Sequence, residues 1–257
     1  MANDPTEAAL NRISATFDRF QEAHWWIHAL ELHYHEADLF RWHLNAFLKA
    51  LKESRQLLQQ ELQNYPGFTT WFKPQKEKLQ SDPLLKFLSK QRDYVVHRGM
   101  LKPGSHGMIG ITEGRGIKLG FALPINPLED SELAMTRYLH AAADRKTGDF
   151  MGLLRLDEDS LPCVQREWRL APFKEEVVEL TAKAWLAVGE TVTATVRWLG
   201  ADVPDLSLEC RHSSQRVQFK LFDRKKLRKQ LREIRRMKRT ARPAGTREKL
   251  LAPERGR

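Results

Sequence analysis

Apolar residues recur at three- and four-residue steps through most of the first hundred positions, a pattern typical of amphipathic helices. Residues 6–65 contain neither glycine nor proline. One helix of that length is unusual in a compact domain, so we expect a break within residues 33–38 and two long helices that fold back on each other. The Pro66-Gly67 pair ends the second of these, and a third helix is predicted over about residues 68–80.

A fourth helix is predicted between Asp82, a good N-cap followed by Pro83, and Gly99. At about 100° per residue, Arg92 falls within the apolar face of this helix. A guanidinium among leucines and valines needs a partner or a ligand. His97 lies near the end of the helix, and Asp93 precedes it by one turn, close enough to hydrogen-bond and orient the imidazole.

The second half of the chain has a mixed pattern. A glycine-rich β-hairpin is predicted within residues 104–123, strands over 149–157 and 163–171, and helices over 131–143 and 174–199. We therefore expect a mainly α fold, α+β overall, in which an antiparallel helical bundle carries a mixed hairpin and helix region and a basic C-terminal helix. The predicted organisation is a helical core over residues 5–100, a mixed region over 101–210 that packs on the core, and a basic, partly disordered arm over 211–257.

Positive charge is concentrated at the C-terminal end. Of the chain's net charge of +10, residues 211–257 contribute 18 Lys and Arg against 4 Asp and Glu, which leaves the rest mildly acidic. This charge density is typical of segments that bind RNA or DNA backbones. The predicted nucleic-acid-binding residues are Arg224, Lys225, Lys226, Arg228, Lys229, Arg232, Arg235, Arg236, Lys238 and Arg239. The alternatives are a solvated helix kept for solubility and, less favoured because the apolar side is narrow, a helix on acidic membrane.

Two cysteines, Cys163 and Cys210, exclude a disulfide framework and a cysteine-based zinc module. The first residues lack a secretory signal and no apolar run reaches membrane-spanning length, so we expect a cytoplasmic protein without a membrane partner. His24, His28, Glu31 and His35 share one side of the first long helix. Because histidines among tryptophans are more often core or interface residues, we predict neither a metal nor another cofactor there.

Three stretches in order carry a family resemblance: FRWHLNAFLKALKESRQLLQQEL, PGFTTWF, and DPLLKFLSKQRDYVVHRG with its Arg92-Asp93-Tyr94-Val95-Val96-His97 motif. Over about residues 10–100 the chain resembles the HEPN family (higher eukaryotes and prokaryotes nucleotide-binding domain), in particular a bacterial branch. Arg19 and His24 repeat the Arg-x4-His spacing, but within a helix and without the following aspartate. Gly99 stands where some toxin members of the family have a tyrosine.

This resemblance implies metal-independent RNA cleavage in a cleft between the two subunits of a homodimer. It assigns the scissile phosphate to Arg92 and general acid/base chemistry for attack by a 2′-hydroxyl to His97, roles that suit an arginine and an imidazole. Such an enzyme could be a toxin, with an antitoxin partner, or a phage-defence effector. The alternatives are a non-catalytic nucleic-acid-binding or regulatory module with the same fold, and a structural dimer with no ligand. For the three residues themselves, the structural interpretation is a buried pair of Arg92 and Asp93 with His97 as a capping residue.

Overall fold

A computed structural model describes residues 4–101, 103–113, 116–123, 125–143, 160–204 and 211–240. These ranges contain eight α-helices and one four-stranded sheet, which confirms the mainly α class with a smaller β component. The predicted strand over 149–157, Cys210 and the segment beyond Thr240 lie outside the described residues. Among the helices described, none is both long enough and apolar enough to cross a membrane.

The first hundred residues are helical, with breaks close to the predicted ones. The helices are α1 (Pro5–Arg12), α2 (Ser14–Leu32), α3 (Ala37–Leu62), α4 (Phe68–Ser81) and α5 (Pro83–His97). The expected turn between the two long helices is confirmed at residues 33–36. An unpredicted break at Ile13 separates α1 from α2, whose first turn is capped by Glu61: its carboxylate accepts hydrogen bonds from the N–H groups of Ala15 and Thr16.

The remaining elements alternate between strands and helices. In chain order they are β1 (Gly104–Glu113), β2 (Gly116–Leu123), α6 (Ser131–Ala143), β3 (Pro162–Arg169), α7 (Val177–Trp198), a short 3-10 turn (Ser214–Arg216), β4 (Phe219–Leu221) and α8 (Arg224–Thr240). The sheet has the order β2-β1-β3-β4, and every neighbouring pair is antiparallel. The predicted hairpin is confirmed in β1 and β2.

Two hydrophobic cores result. The larger lies among α1–α5 and α7 and is rich in aromatic residues; Phe20 of α2 stacks on Trp185 of α7 at a centroid distance of 4.4 Å. The smaller core joins the sheet to α6 and α8 through Ile109, Ile111, Ile125, Ala134, Met135, Tyr138, Leu139, Ala142, Val164, Leu227, Leu231 and Ile234. Thus α7, from the predicted mixed region, completes the helical bundle, and α8 covers the sheet.

Strand β3 connects the two cores. Successive residues of a strand alternate between its faces, so Val164, Arg166 and Trp168 share one face. Val164 belongs to the small core and Trp168 to the large one, where its ring stacks on Phe40 at 4.5 Å. Between them, the fully buried guanidinium of Arg166 lies 3.8 Å from the Trp168 ring centroid. It donates to Ser105 Oγ and to the backbone carbonyls of residues 126 and 129.

A buried carboxyl group closes this junction. Glu176 Oε1 accepts a hydrogen bond from the backbone N–H of Trp168 and shares the hydroxyl proton of Tyr34 with the Arg166 carbonyl, and Glu176 Oε2 accepts from the Val178 N–H at the start of α7. Burial, together with a hydrogen bond to Glu179, raises the pKa of Glu176 to about 8. The carboxyl is therefore neutral at pH 7 in the folded protein, whereas it is ionised in the unfolded chain.

We predict that Glu176 makes the protein less stable as the pH rises. Between about pH 5 and 8 the folded state holds one proton that the unfolded state has released, so this group lowers the free energy of unfolding by about 1.4 kcal/mol per pH unit. Histidines with lowered pKa values, such as His24 and His35, add an opposite slope below about pH 6.5, so urea denaturation reads the contribution of Glu176 as the difference between the wild-type protein and Glu176→Gln. This difference should fall by about 1.4 kcal/mol per pH unit across the range, while the Glu175→Gln control should keep the pH dependence of the wild-type protein. A difference that does not change with pH would contradict the assignment.

Candidate functional site

The three residues predicted to act together lie on α5 but make different contacts. Asp82 caps the helix as predicted, accepting from the Leu85 N–H, and Leu85 and Leu88 are buried. Arg92 lies one turn after Leu88 on α5. Its side chain is 20% exposed, which places it at the edge of the large core. Its Nη1 atom is 3.2 Å from Asp93 Oδ1, and its buried Nε atom has no hydrogen-bond partner among the described residues.

Asp93 faces α3. Its Oδ1 atom accepts a hydrogen bond of 2.6 Å from Lys52 Nζ. This bond, with a further one from Arg92, holds the pKa of Asp93 below its usual value. Within the described part of the chain, Asp93 makes no hydrogen bond to His97, which is exposed at the end of α5. The structure therefore brings together Arg92, Asp93 and Lys52, while the predicted contact that orients His97 is missing.

The predicted nucleic-acid-binding residues lie on α8, whose apolar stripe faces the protein. Leu227, Leu231 and Ile234 are buried in the small core, where they pack with α6 and the sheet. At 100° per residue, an arc of about 120° on the other side of the helix carries seven cations. They are Lys225, Arg228, Lys229, Arg232, Arg235, Arg236 and Arg239. All of them except the partly buried Arg235 are exposed.

The other basic residues of α8 lie outside this arc, on the sides of the helix that are nearer to the neighbouring segments. Arg224 donates two hydrogen bonds to the Ser160 carbonyl, and Lys238 Nζ donates one of 2.9 Å to the His140 carbonyl. These contacts attach both ends of the helix to neighbouring segments. Lys226 is exposed on the flank of the apolar stripe. The site is therefore a helix packed on the protein with a one-sided cationic surface, which we call the basic face and define by the seven cations of the arc.

A second group of chemically capable side chains links α2 to the segment before β4. His24 Nε2 lies 3.0 Å from His212 Nε2, and His212 Nδ1 lies 3.1 Å from Glu31 Oε2. His28 Nδ1 is 3.7 Å from the same carboxylate oxygen. Burial, with repulsion from the neighbouring histidines, lowers the pKa of His24 to about 4 and also lowers that of His28. Both imidazoles are therefore neutral near pH 7.

Sequence reasoning found only part of this histidine cluster. The i, i+4 spacing of His24 and His28 was recognised, but His212 lies far along the chain and no local spacing connects it to them. His35, grouped with them from the sequence, points elsewhere: it contacts Ser131 Oγ and the Val217 carbonyl, both at 2.8 Å. The ligand atoms of His24, His28 and His212 all lie within 4.8 Å of one another.

Comparison with known proteins gives a match to a family model. The family model described as bacteriophage lambda protein ea47 matches residues 9–113, less than half of the chain. This segment, which runs from α1 into β1, is therefore similar to a phage protein. Neither a curated protein nor a solved structure matches the chain.

The predicted resemblance to the HEPN family is wrong. The family model that matches the stretch on which it rested is that of the lambda protein, and no HEPN model matches. An arginine and a histidine five residues apart form a short pattern, and Arg19 and His24 repeat it elsewhere in this chain. The roles that the resemblance implied for Arg92 and His97 therefore lose that support.

We predict that Asp93 acts as one member of a partly exposed ion pair. Such pairs contribute about 0.2–1 kcal/mol, so Asp93→Asn should lower the free energy of unfolding at pH 7 by no more than about 1 kcal/mol. The difference should shrink as the pH falls below about 4 and disappear only below the lowered pKa of Asp93, because the ion pair is lost once the wild-type carboxylate is protonated. Urea denaturation from pH 7 down to acidic pH measures it, with Asp18→Asn, at an exposed position of α2, as a comparison. A loss above about 2 kcal/mol at pH 7 would contradict this assignment.

Proposed function

We propose that the protein binds nucleic acid through the basic face of α8. The observation that carries the proposal is that the apolar stripe of this helix is buried while its cations face solvent. A stretch of 17 residues spans about 25 Å, and duplex DNA presents one charge per about 1.7 Å of its axis. Several phosphates therefore lie within reach of one helix face.

The same packing argues against insertion into a membrane. A basic amphipathic helix binds at a lipid interface by burying its apolar side among acyl chains. In α8 that side is occupied, because Leu227, Leu231 and Ile234 are only 3–6% exposed. What remains exposed on α8 is mainly charge, with Met237 as its exposed large apolar side chain, which suits a phosphate backbone better than a bilayer.

Recognition of base sequence has no support among the described residues of α8, whose exposed face consists mainly of lysine and arginine. Contacts to phosphates position a protein on nucleic acid without reading its sequence. We therefore propose binding that depends on the backbone charge and is sensitive to salt. A cytoplasmic location, an RNA target, a homodimer and an antitoxin partner stay predictions.

The test compares two variants with equal charge changes. In the first, Lys229, Arg232 and Arg236 of the basic face become Gln; in the control, Lys73, Lys86 and Lys174, which are exposed on other parts of the protein, become Gln. Fluorescence anisotropy with a short single-stranded RNA and a duplex DNA, between about 50 and 200 mM salt, gives the dependence of log K on log salt. We expect the slope to lose about 2–3 in the first variant only.

Two results would contradict the proposal: equal binding by the two variants, or binding of the wild-type protein to anionic phospholipid vesicles but to neither nucleic acid. Cleavage is read from the same RNA mixtures on denaturing gels in the presence of EDTA. If Arg92 and His97 cleave RNA, Arg92→Ala and His97→Ala should abolish the products without weakening retention. Retention without products supports the binding module alone.

A further inference from the structure

Three imidazoles and one carboxylate converge where α2 meets the segment that leads into β4. His24 and His28 lie one turn apart on α2, and His212 comes from the far end of the chain. We propose that His24, His28 and His212 form a binding site for a zinc-class divalent metal ion, with Glu31 holding the imidazoles in place. The site is independent of the basic face and does not rest on the proposed nucleic-acid binding.

The distances fit such an ion. Zinc binds histidine nitrogens at about 2.0–2.1 Å in tetrahedral geometry, which places neighbouring ligand nitrogens about 3.3 Å apart. The Nε2 atoms of His24 and His212 are already 3.0 Å apart, and all three ligand atoms fit within 4.8 Å. Ring movements that bring the farthest pair of ligand atoms from within 4.8 Å to about 3.3 Å would close the site, and the Ser213 N–H, which donates to Glu31 Oε1, holds the backbone beside His212.

Glu31 determines which ring nitrogens are available. Its Oε2 atom is 3.1 Å from His212 Nδ1, so His212 is protonated on Nδ1 and presents the lone pair of Nε2 to His24. The same oxygen lies 3.7 Å from His28 Nδ1, so the carboxylate is next to that ring but beyond hydrogen-bond distance. A carboxylate that accepts from the second nitrogen of a ligating histidine fixes the ring and makes it a better metal ligand. Glu31 is itself anchored, because its Oε1 atom accepts from the Ser213 N–H at 3.1 Å.

The surroundings of the three rings suit a stable but accessible site. His24 stacks on Trp185 at 4.6 Å, and the His212 side chain is 1% exposed, so both rings have fixed positions. The His28 side chain is 46% exposed and leaves a route for the ion from solvent. Three nitrogen ligands favour zinc over magnesium or calcium, which prefer oxygen, and they leave a fourth position for water.

Metal binding would join distant parts of the chain. The segment that carries His212 continues through the 3-10 turn and β4 into α8. An ion held by α2 and His212 would therefore fasten the start of this segment to the helical bundle. Because an ion that binds the folded state stabilises it by mass action, zinc should raise the melting temperature.

The test uses the full chain without a polyhistidine tag, stripped with EDTA and titrated with Zn²⁺ against a chromophoric chelator. We expect one ion per chain and, by X-ray absorption, nitrogen ligands at about 2.0–2.1 Å. Affinity should fall at least about 100-fold in His28→Gln and His212→Gln and about 10- to 100-fold in Glu31→Gln. The exposed His106→Gln, which lies on β1, should bind zinc like the wild-type protein.

His28→Gln is the decisive variant, because its half-exposed position makes a folding defect least expected, and circular dichroism checks that it folds. The zinc-dependent rise in melting temperature should be present in the wild-type and His106→Gln proteins and absent from His28→Gln. The proposal is overturned if the stripped wild-type protein binds no zinc, or if His28→Gln binds it as tightly as the wild type. Either result would leave the histidines as a packing cluster that holds His212 against α2.

Discussion

The position of the sheet on the helical bundle depends on Trp168, which is buried in the large core. The polar groups around it are buried as well, and they form hydrogen bonds with one another. The Trp168 indole N–H donates to the Tyr34 carbonyl at 2.8 Å, and the Tyr34 hydroxyl donates to the Arg166 carbonyl at 2.9 Å. Glu176 Oε1 accepts a second hydrogen bond from this residue, that of the backbone N–H of Trp168, at 3.2 Å. Leaving one such buried group without a partner costs about 1–3 kcal/mol, so sliding β3 along the bundle is unfavourable. This network therefore determines the register between the two cores.

The junction has a consequence for the basic helix. Since β3 is fixed, the sheet and α6 offer one apolar surface, and α8 covers it with Leu227, Leu231 and Ile234. The cations on the other side are then held outward by a folded scaffold. Ordering a flexible segment costs free energy, so an arm that folds only on binding has a lower affinity for its ligand. Binding to a preformed surface avoids this cost. The basic region is thus part of the folded protein through Thr240.

Local signals were sufficient to predict most of the elements. Glycine, proline and capping residues predicted the ends of α3, α4 and α5, and the glycine-rich stretch predicted the hairpin. Contacts between distant residues were not predictable in this way: Lys52, 41 positions from Asp93, takes up the carboxylate that was assigned to His97. His212 reaches His24 across 188 positions. The family resemblance was wrong because the motif that supported it, an arginine and a histidine five residues apart, is short. So few positions do not determine which other residues come into contact.

The central claim is that α8 is folded on the sheet and α6 before any nucleic acid arrives. Hydrogen–deuterium exchange of the free full-length protein tests it directly, because only a folded helix protects its amides. We expect protection through Leu227–Ile234 comparable to that of α6, unchanged in extent when RNA is added. Rapid exchange across the whole of α8 in the free protein, with protection appearing only on binding, would contradict this account.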